Sequence, residues 1–335
     1  MHTTSPDKIA HMIEQQHAAL DTLRGEIGKV IVGQQAVVEQ MLVCLLARGH
    51  ALLEGVPGLG KTLLVKTLAD ASSLTFKRVQ FTPDLMPGDI LGSEILEEDH
   101  TTGKRFFKFQ PGPIFTNILL ADEINRTPPK TQAALLESMQ EYAVTVAGDT
   151  MALPRPYFVL ATQNPIEQAG TYPLPEAQLD RFLLNIHIDY PAESEEVAIL
   201  RATTGAAGEQ PQSCLDAEQL LAMQDLVREV SVSDGLYHYV AQLVRATRPD
   251  HGEGKLAQWI KWGAGPRAGQ ALILAAKARA FLQRRLAVTR ADIQALLLPV
   301  LRHRVLLSFH AQADGIGVEQ VLQELLRTVP EPGSD

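Results

Sequence analysis

The first 190 residues alternate between short, almost unbroken apolar runs and longer stretches with apolar residues every three or four positions. The runs are His50–Glu54, Ile118–Asp122, Tyr157–Ala161 and Leu183–Ile188; with Thr75–Gln80, which reads as the second strand, they predict five strands of a buried parallel sheet. The longer stretches predict helices over 5–29, 35–48, 63–69, 131–142 and, briefly, 175–182. Five strands with intervening helices make a doubly wound α/β sheet. The first helix opens on Ser5-Pro6-Asp7, a capping hydroxyl followed by proline and an acid. It aligns Ile9, Met12, Ile13, Leu20, Leu23 and Ile27 on one face, for the body of the protein or for a neighbouring subunit.

Two β-hairpins interrupt this pattern. Glu94–Glu97 and Lys104–Phe109 flank a polar turn inside the otherwise irregular segment 81–113, and residues 144–146 and 151–153 flank Ala-Gly-Asp-Thr. Lys104, Arg105 and Lys108 either meet an acidic partner or form a solvated hairpin face. From about residue 192 the strand pattern stops. A small-residue loop (202–212) precedes helical spacing over 216–230, 234–248, 266–286, 289–306 and 317–328, an all-helical second domain. Trp259 and Trp262 read as packing residues, and Val329–Asp335 as a frayed tail.

Composition narrows the function classes. A chain of 335 residues fits two domains, and 45% hydrophobic residues can fill their cores. A net charge of −9 argues against broad binding to nucleic acid or anionic membrane. Two distant cysteines, Cys44 and Cys214, give neither a disulfide framework nor a cysteine zinc site. The ten histidines include no HExxH-type pair. A polar N-terminus and the lack of any 18-residue apolar run predict a soluble, cytoplasmic protein without signal peptide or membrane span.

The candidate chemistry starts at Gly55-Val56-Pro57-Gly58-Leu59-Gly60-Lys61-Thr62, followed by Leu63. It fits the phosphate-loop template at every fixed position and stands between a predicted strand and a predicted helix. Glycines let several backbone N–H groups converge on one anion, and the helix start adds its positive dipole end. Lys61 is a cation in a first helical turn, misplaced by roughly 0.3–1 kcal/mol unless a phosphate sits there. The expected ligand is a nucleoside triphosphate. Asp122 and Glu123 end a buried strand, where open α/β sheets place ligands. Asp122 with Thr62 suits Mg2+, and Glu123 suits orienting or deprotonating a water. Asn164, in Thr162-Gln163-Asn164-Pro165, follows another strand and can hold that water or the γ-phosphate. Ile31-Val32-Gly33-Gln34 is either a packed loop or a wall of an adenine pocket. Arg181 near a helix end is electrostatically comfortable without function. Arg267, just inside a helix that opens on Pro266, has the same misplaced charge as Lys61, and a bound phosphate would resolve it.

Taken together, residues 30–300 resemble the AAA+ ATPases, and specifically the MoxR family. Ala121-Asp122-Glu123-Ile124-Asn125-Arg126 and Leu174–Phe182 carry the most specific part of the likeness. The resemblance implies a core over 30–190, a lid over 191–330, an N-terminal helix over 1–29 and a tail over 331–335. It makes 81–113 the helix-2 insert, directed at a central pore, and 143–153 the hairpin ahead of the first sensor. It makes Asn164 the first sensor, Arg181 the arginine finger given to the adjacent subunit, and Arg267 the second sensor on the lid, so that Lys61 and Arg267 of one chain and Arg181 of a neighbour are expected to converge on the terminal phosphate of one ATP. Gly265 stands where the family often has serine. It also implies ATP and Mg2+ as ligands, a hexameric ring, a protein client and a von Willebrand factor A domain partner, with assembly, maturation or metal-cofactor insertion as the task. No extra partner-binding domain is expected after the lid. The alternatives are a nucleic-acid motor or helicase loader, against which the acidic balance speaks, and a nucleotide switch with vestigial hydrolysis.

Overall fold

The computed structural model describes residues 6–98, 100–101, 103–166, 170–205, 209–252 and 254–330, with side chains from residue 14 onward. Ser5 of the expected cap and residues 331–335 of the expected tail lie outside the described residues. In chain order the first half contains α1 (Pro6–Val30), α2 (Gln35–Leu46), β1 (Ala51–Glu54), α3 (Lys61–Ala71), β2 (Phe76–Gln80), α4 (Pro87–Leu91), β3 (Gly92–Glu98), β4 (Arg105–Pro111) and β5 (Ile118–Asp122). There follow α5 (Pro129–Glu141), β6 (Ala143–Val146), β7 (Asp149–Ala152), β8 (Phe158–Gln163), α6 (Glu176–Leu179), β9 (Leu184–His187) and α7 (Glu193–Thr204). The remainder is α8 (Ala217–Glu229), α9 (Asp234–Ala246), α10 (Lys255–Trp259), β10 (Ile260–Trp262), α11 (Pro266–Leu282), α12 (Arg290–Leu301), β11 (Leu306–Leu307), α13 (Phe309–Ala313) and α14 (Val318–Thr328).

The five strands form one parallel sheet in the order β2-β5-β8-β1-β9. Strands β1, β5, β8 and β9 are buried on both faces, since successive side chains point to opposite sides, whereas the edge strand β2 buries only Val79. Leu53, Ile118, Leu120, Leu160 and Ile186 face one apolar cluster; Leu52, Leu119, Ala121, Val159 and Ala161 face another. The first cluster continues without a break through α1–α3 into the helices of the second half. Leu20, Leu23 and Ile27 bury the inner face of α1 against the body of the chain. At roughly 1.5–3 kcal/mol each, these three side chains account for its docking.

The chain departs from the sequence expectation in several places. The helix expected over 175–182 shrinks to one turn, since Phe182 is needed in the core. The second half is not all helical: β10 and β11 pair as a short antiparallel ribbon. Trp259 packs against the core, but Trp262 on that ribbon is exposed. Val329, expected to fray, is buried and donates to the Leu325 carbonyl. Segment 81–113 holds the one-turn α4 before its hairpin. On that hairpin Arg105 pairs with Glu98 at 3.0 Å and Lys108 with Glu97 at 3.0 Å, so their charges are answered locally.

His50 lies at the N-terminal edge of the sheet. Its Nδ1 accepts the Val159 N–H at 3.0 Å, so Nε2 carries the proton and donates to the Met139 carbonyl at 3.0 Å. Burial pushes its pKa down to about 4, with the Met139 bond opposing. Above the ordinary value of 6.5, folded and unfolded chains are both neutral here and His50 adds no pH dependence. As pH falls from there towards 4, only the unfolded chain takes up the proton, so stability falls. The expected loss between pH 7 and 5 is about 2 kcal/mol. Urea midpoints at the two pH values check it, and the same pair in His50→Gln should show a smaller difference.

Candidate nucleotide site

The phosphate loop joins β1 to α3. Gly55 packs so tightly that a Cβ there would lie 2.7 Å from the Ile188 carbonyl oxygen. Gly58 and Gly60 have φ of +88° and +74°, conformations that L side chains rarely adopt. Lys61 then starts α3. Its ammonium donates to the Gly55 carbonyl, and among the described residues no carboxylate bridges it. Burial lowers its pKa, while Asp122 and Glu123 pull it back up. A half-buried cation without a paired anion, seated at a helix start, fits a polyphosphate.

Lys61, Thr62, Asp122, Glu123 and Asn164 all line one cavity of about 480 Å³ at the C-terminal edge of the sheet, as do Pro57, Gly58, Gly60 and Leu63. Three further residues escaped the sequence reading. Arg78 grips Asp122 Oδ2 at 2.6 Å. Thr162 donates to Asp122 Oδ1 at 2.6 Å and accepts the Glu123 N–H at 2.8 Å. Gln80 donates to Glu123 Oε2 at 2.7 Å, and Arg126 reaches the same oxygen at 2.9 Å. Gln80 lies opposite Asp122 in the β2–β5 register, so the position at a strand end was the available signal. Glu123 itself adopts φ +57°, a left-handed conformation. Asn164 accepts the Ile166 N–H at 3.1 Å, which leaves its NH2 group for the cavity. The hydroxyl of Thr62 and the anchored carboxylate of Asp122 form a hard oxygen donor set that fits Mg2+ alongside phosphate oxygens.

A second, more apolar pocket of about 440 Å³ meets this cavity at Gly58, Gly60 and Leu63. Val32, Leu59, Tyr190 and Leu200 line it. Of the two readings of 31–34, the pocket wall applies to Ile31, Val32 and Gln34. Gly33 is not on the wall: with φ +68°, it is the turn where any Cβ would strike Glu195 Oε1 at 2.3 Å. Helix α7, which no periodicity announced, supplies the opposite side through Glu196, Ile199, Leu200 and Thr203. A polar cleft and an apolar pocket joined at a phosphate loop have the layout of a nucleoside triphosphate.

The two remaining arginines are elsewhere. Arg181 and Arg267 line a separate cavity of about 380 Å³. Its walls include Gly49, His50, Pro156, Tyr157, Phe182 and Leu183, the residues just before β1, β8 and β9. It therefore lies at the N-terminal edge of the sheet. Strands of four to six residues, about 13–20 Å long, separate it from the phosphate loop. The expectation that Arg267 and Lys61 of one chain converge on one phosphate is not met. The packing of the lid explains why: α11, which carries Arg267, packs on α2, and its neighbour α12 on β9, which brings Pro266–Arg267 to this edge. Arg267 Nη1 lies 3.7 Å from Asp180 Oδ2, so a carboxylate of its own chain answers the misplaced charge. Arg181 donates to the Leu136 carbonyl at 2.6 Å. Arg48, Arg155, Arg228 and Arg304 complete a lining of six arginines, of which buried Arg304 is paired with Asp180 at 2.7 Å and Arg48 with Asp225 at 2.6 Å. No helix among the described residues is long and apolar enough to cross a membrane.

Comparison with known proteins agrees with this layout. Residues 50–184 match the model of the ATPase family associated with various cellular activities (AAA), and residues 256–325 match an AAA lid domain. The chain is 45% identical to Chaperone MoxR1 of Mycobacterium tuberculosis, covering 92% of this chain and 81% of that protein. It is 31% identical to Protein MoxR of Paracoccus denitrificans, covering 96% and 99%. The crystal structure of a candidate ATPase from Cytophaga hutchinsonii superimposes with a TM-score of 0.90 at 40% identity, covering 97% of this chain and 98% of that one. With its phosphate loop, acidic strand end, parallel sheet and helical lid in the expected places, this chain belongs to the MoxR family of AAA+ ATPases.

Proposed function

We propose that the protein hydrolyses ATP in a head-to-tail ring, in which each protomer's phosphate cleft is completed by the arginine cavity of its neighbour. The observation that carries this is the separation of the two sites. Each chain has a nucleotide cleft at one edge of its sheet, and at the other a cavity lined by six arginines. With Arg48 paired to Asp225 and Arg304 to Asp180, the remaining arginines still leave the cavity cationic and suited to a polyanion, and its own chain's nucleotide lies a strand length away. A heterologous contact of this kind closes into a ring when the rotation per subunit allows; a hexamer is the expected closure.

In this reading residues 30–190 are the core and 191–330 the lid. The phosphate loop's N–H groups, Lys61 and the α3 dipole hold the β- and γ-phosphates. Thr62 and Asp122 would hold Mg2+, which neutralises charge on the phosphate oxygens when bound. Glu123 orients the attacking water and accepts its proton, Asn164 reads the γ-phosphate, and Arg181 and Arg267 of the neighbour meet the charge that develops on it. The work done is remodelling or maturation of a protein complex, with a von Willebrand factor A domain partner and, in one form, insertion of a metal cofactor. One relative is named a chaperone.

The experiment is the ATP turnover of the purified protein against its own concentration. Turnover per protomer should rise steeply with concentration, follow assembly seen by sedimentation, and vanish when EDTA removes Mg2+. Turnover per protomer that stays constant down to concentrations where sedimentation shows only monomer contradicts the shared site.

A further inference from the structure

A trough of about 800 Å³ runs between α9 and α11. Ala241 and Gly269, small residues on the facing helices, leave it open, and Val240, Val244 and Ile273 form its floor. Its rim carries Arg228, Arg245, Arg248 and Lys277, and no acidic residue is among its described lining residues. Arg228, Gln270 and Leu274 also line the arginine cavity, so the two spaces share a wall. A trough with an apolar floor and a cationic rim accepts an acidic amphipathic helix.

The chain carries such a helix. Three acids, Glu193, Glu195 and Glu196, fill the first turn of α7. None of its residues is buried, although it includes Val197, Ile199 and Leu200. Val197 is 42% exposed and, unlike Glu196, Ile199 and Leu200, does not line the nucleotide pocket. Helix α7 follows β9 and lines the apolar half of the nucleotide site, at the C-terminal edge of the sheet. The trough adjoins the opposite edge. A protomer therefore presents the helix at one edge and the trough at the other.

We propose that α7 of one protomer seats in the α9–α11 trough of the next, with Glu193 against the basic rim and Val197 over the floor; Glu195 and Glu196 stay with their own chain, at Gly33 and in the nucleotide pocket. The proposal rests on the ring reading and adds its specific contact. An arginine cavity that meets a neighbour's phosphates brings the adjoining trough beside the elements flanking that nucleotide, and α7 is one of them. Charge complementarity also fixes direction, because two troughs or two α7 helices repel each other.

Mixing Val197→Cys protein with Tyr237→Cys protein under mild oxidation tests this; Tyr237 is a trough residue, 48% exposed. The mixture should give a covalent dimer that neither variant gives alone. Separately, Arg245→Glu should raise the concentration for half-assembly at least tenfold, and adding Glu193→Arg should restore it. Rings that assemble normally in Arg245→Glu, with no cross-link in the mixture, overturn this docking and leave the ring intact. A wild-type protein that never assembles overturns both.

Discussion

Glu123→Gln should retain ATP and lose turnover, by about 10²–10⁴-fold. The substitution leaves the phosphate loop, Lys61, Thr62 and Asp122 untouched, so affinity should stay within a few fold. What disappears is a carboxylate fixed at 2.7 Å by Gln80 and at 2.9 Å by Arg126, beside the Asp122 that would hold the metal. An amide of the same shape cannot take a proton from water. Calorimetric ATP binding and single-turnover phosphate release separate the two effects. Wild-type release in this variant would remove Glu123 from the mechanism. The same variant, held in its ATP state, is the reagent for capturing a client.

Removing Arg181 should be as damaging for a different reason, and removing Arg267 less so. In systems with an arginine finger its loss costs on the order of 10³–10⁵ in rate, and Arg181→Ala is expected at the lower end. Arg267→Ala removes one charge-assisted hydrogen bond, about 1.5–3 kcal/mol, and should cost roughly 10–100-fold. Both variants should still bind ATP, because neither side chain lines its own nucleotide cavity. Steady-state turnover beside nucleotide titration checks this. A loss of ATP binding in Arg267→Ala would instead put that residue on its own chain's nucleotide.

Much of this was legible in the chain. The strands announced themselves because a parallel sheet buried on both faces requires unbroken apolar runs such as Ile118–Ala121. The phosphate loop was legible because its glycines and Lys61 conflict with ordinary helix starts. The residues that steady the carboxylates were not: Arg78 and Gln80 sit on a strand whose exposed positions look like ordinary surface. Helix α7 escaped because its apolar residues are bunched at 197–200 and set no repeating helical period. Trp262 misled because a three-residue strand is too short to show a period. The largest miss was the place of Arg267. A motif identifies the residue, but the packing of α11 and α12 on α2 and β9 decides which edge of the sheet it reaches.

That edge is decisive for the shared site, and mixed assemblies test it most directly. Lys61→Ala protein lacks a working phosphate site but keeps both arginines; Arg181→Ala protein keeps its phosphate site but lacks the finger. Each alone should be inactive. Mixed in equal amounts, they should recover a substantial fraction of wild-type turnover, because an intact Arg181 then stands beside an intact nucleotide cleft in an adjacent protomer. The same recovery is expected when Arg267→Ala replaces Arg181→Ala. Mixtures that assemble yet remain as inactive as their components would contradict the account.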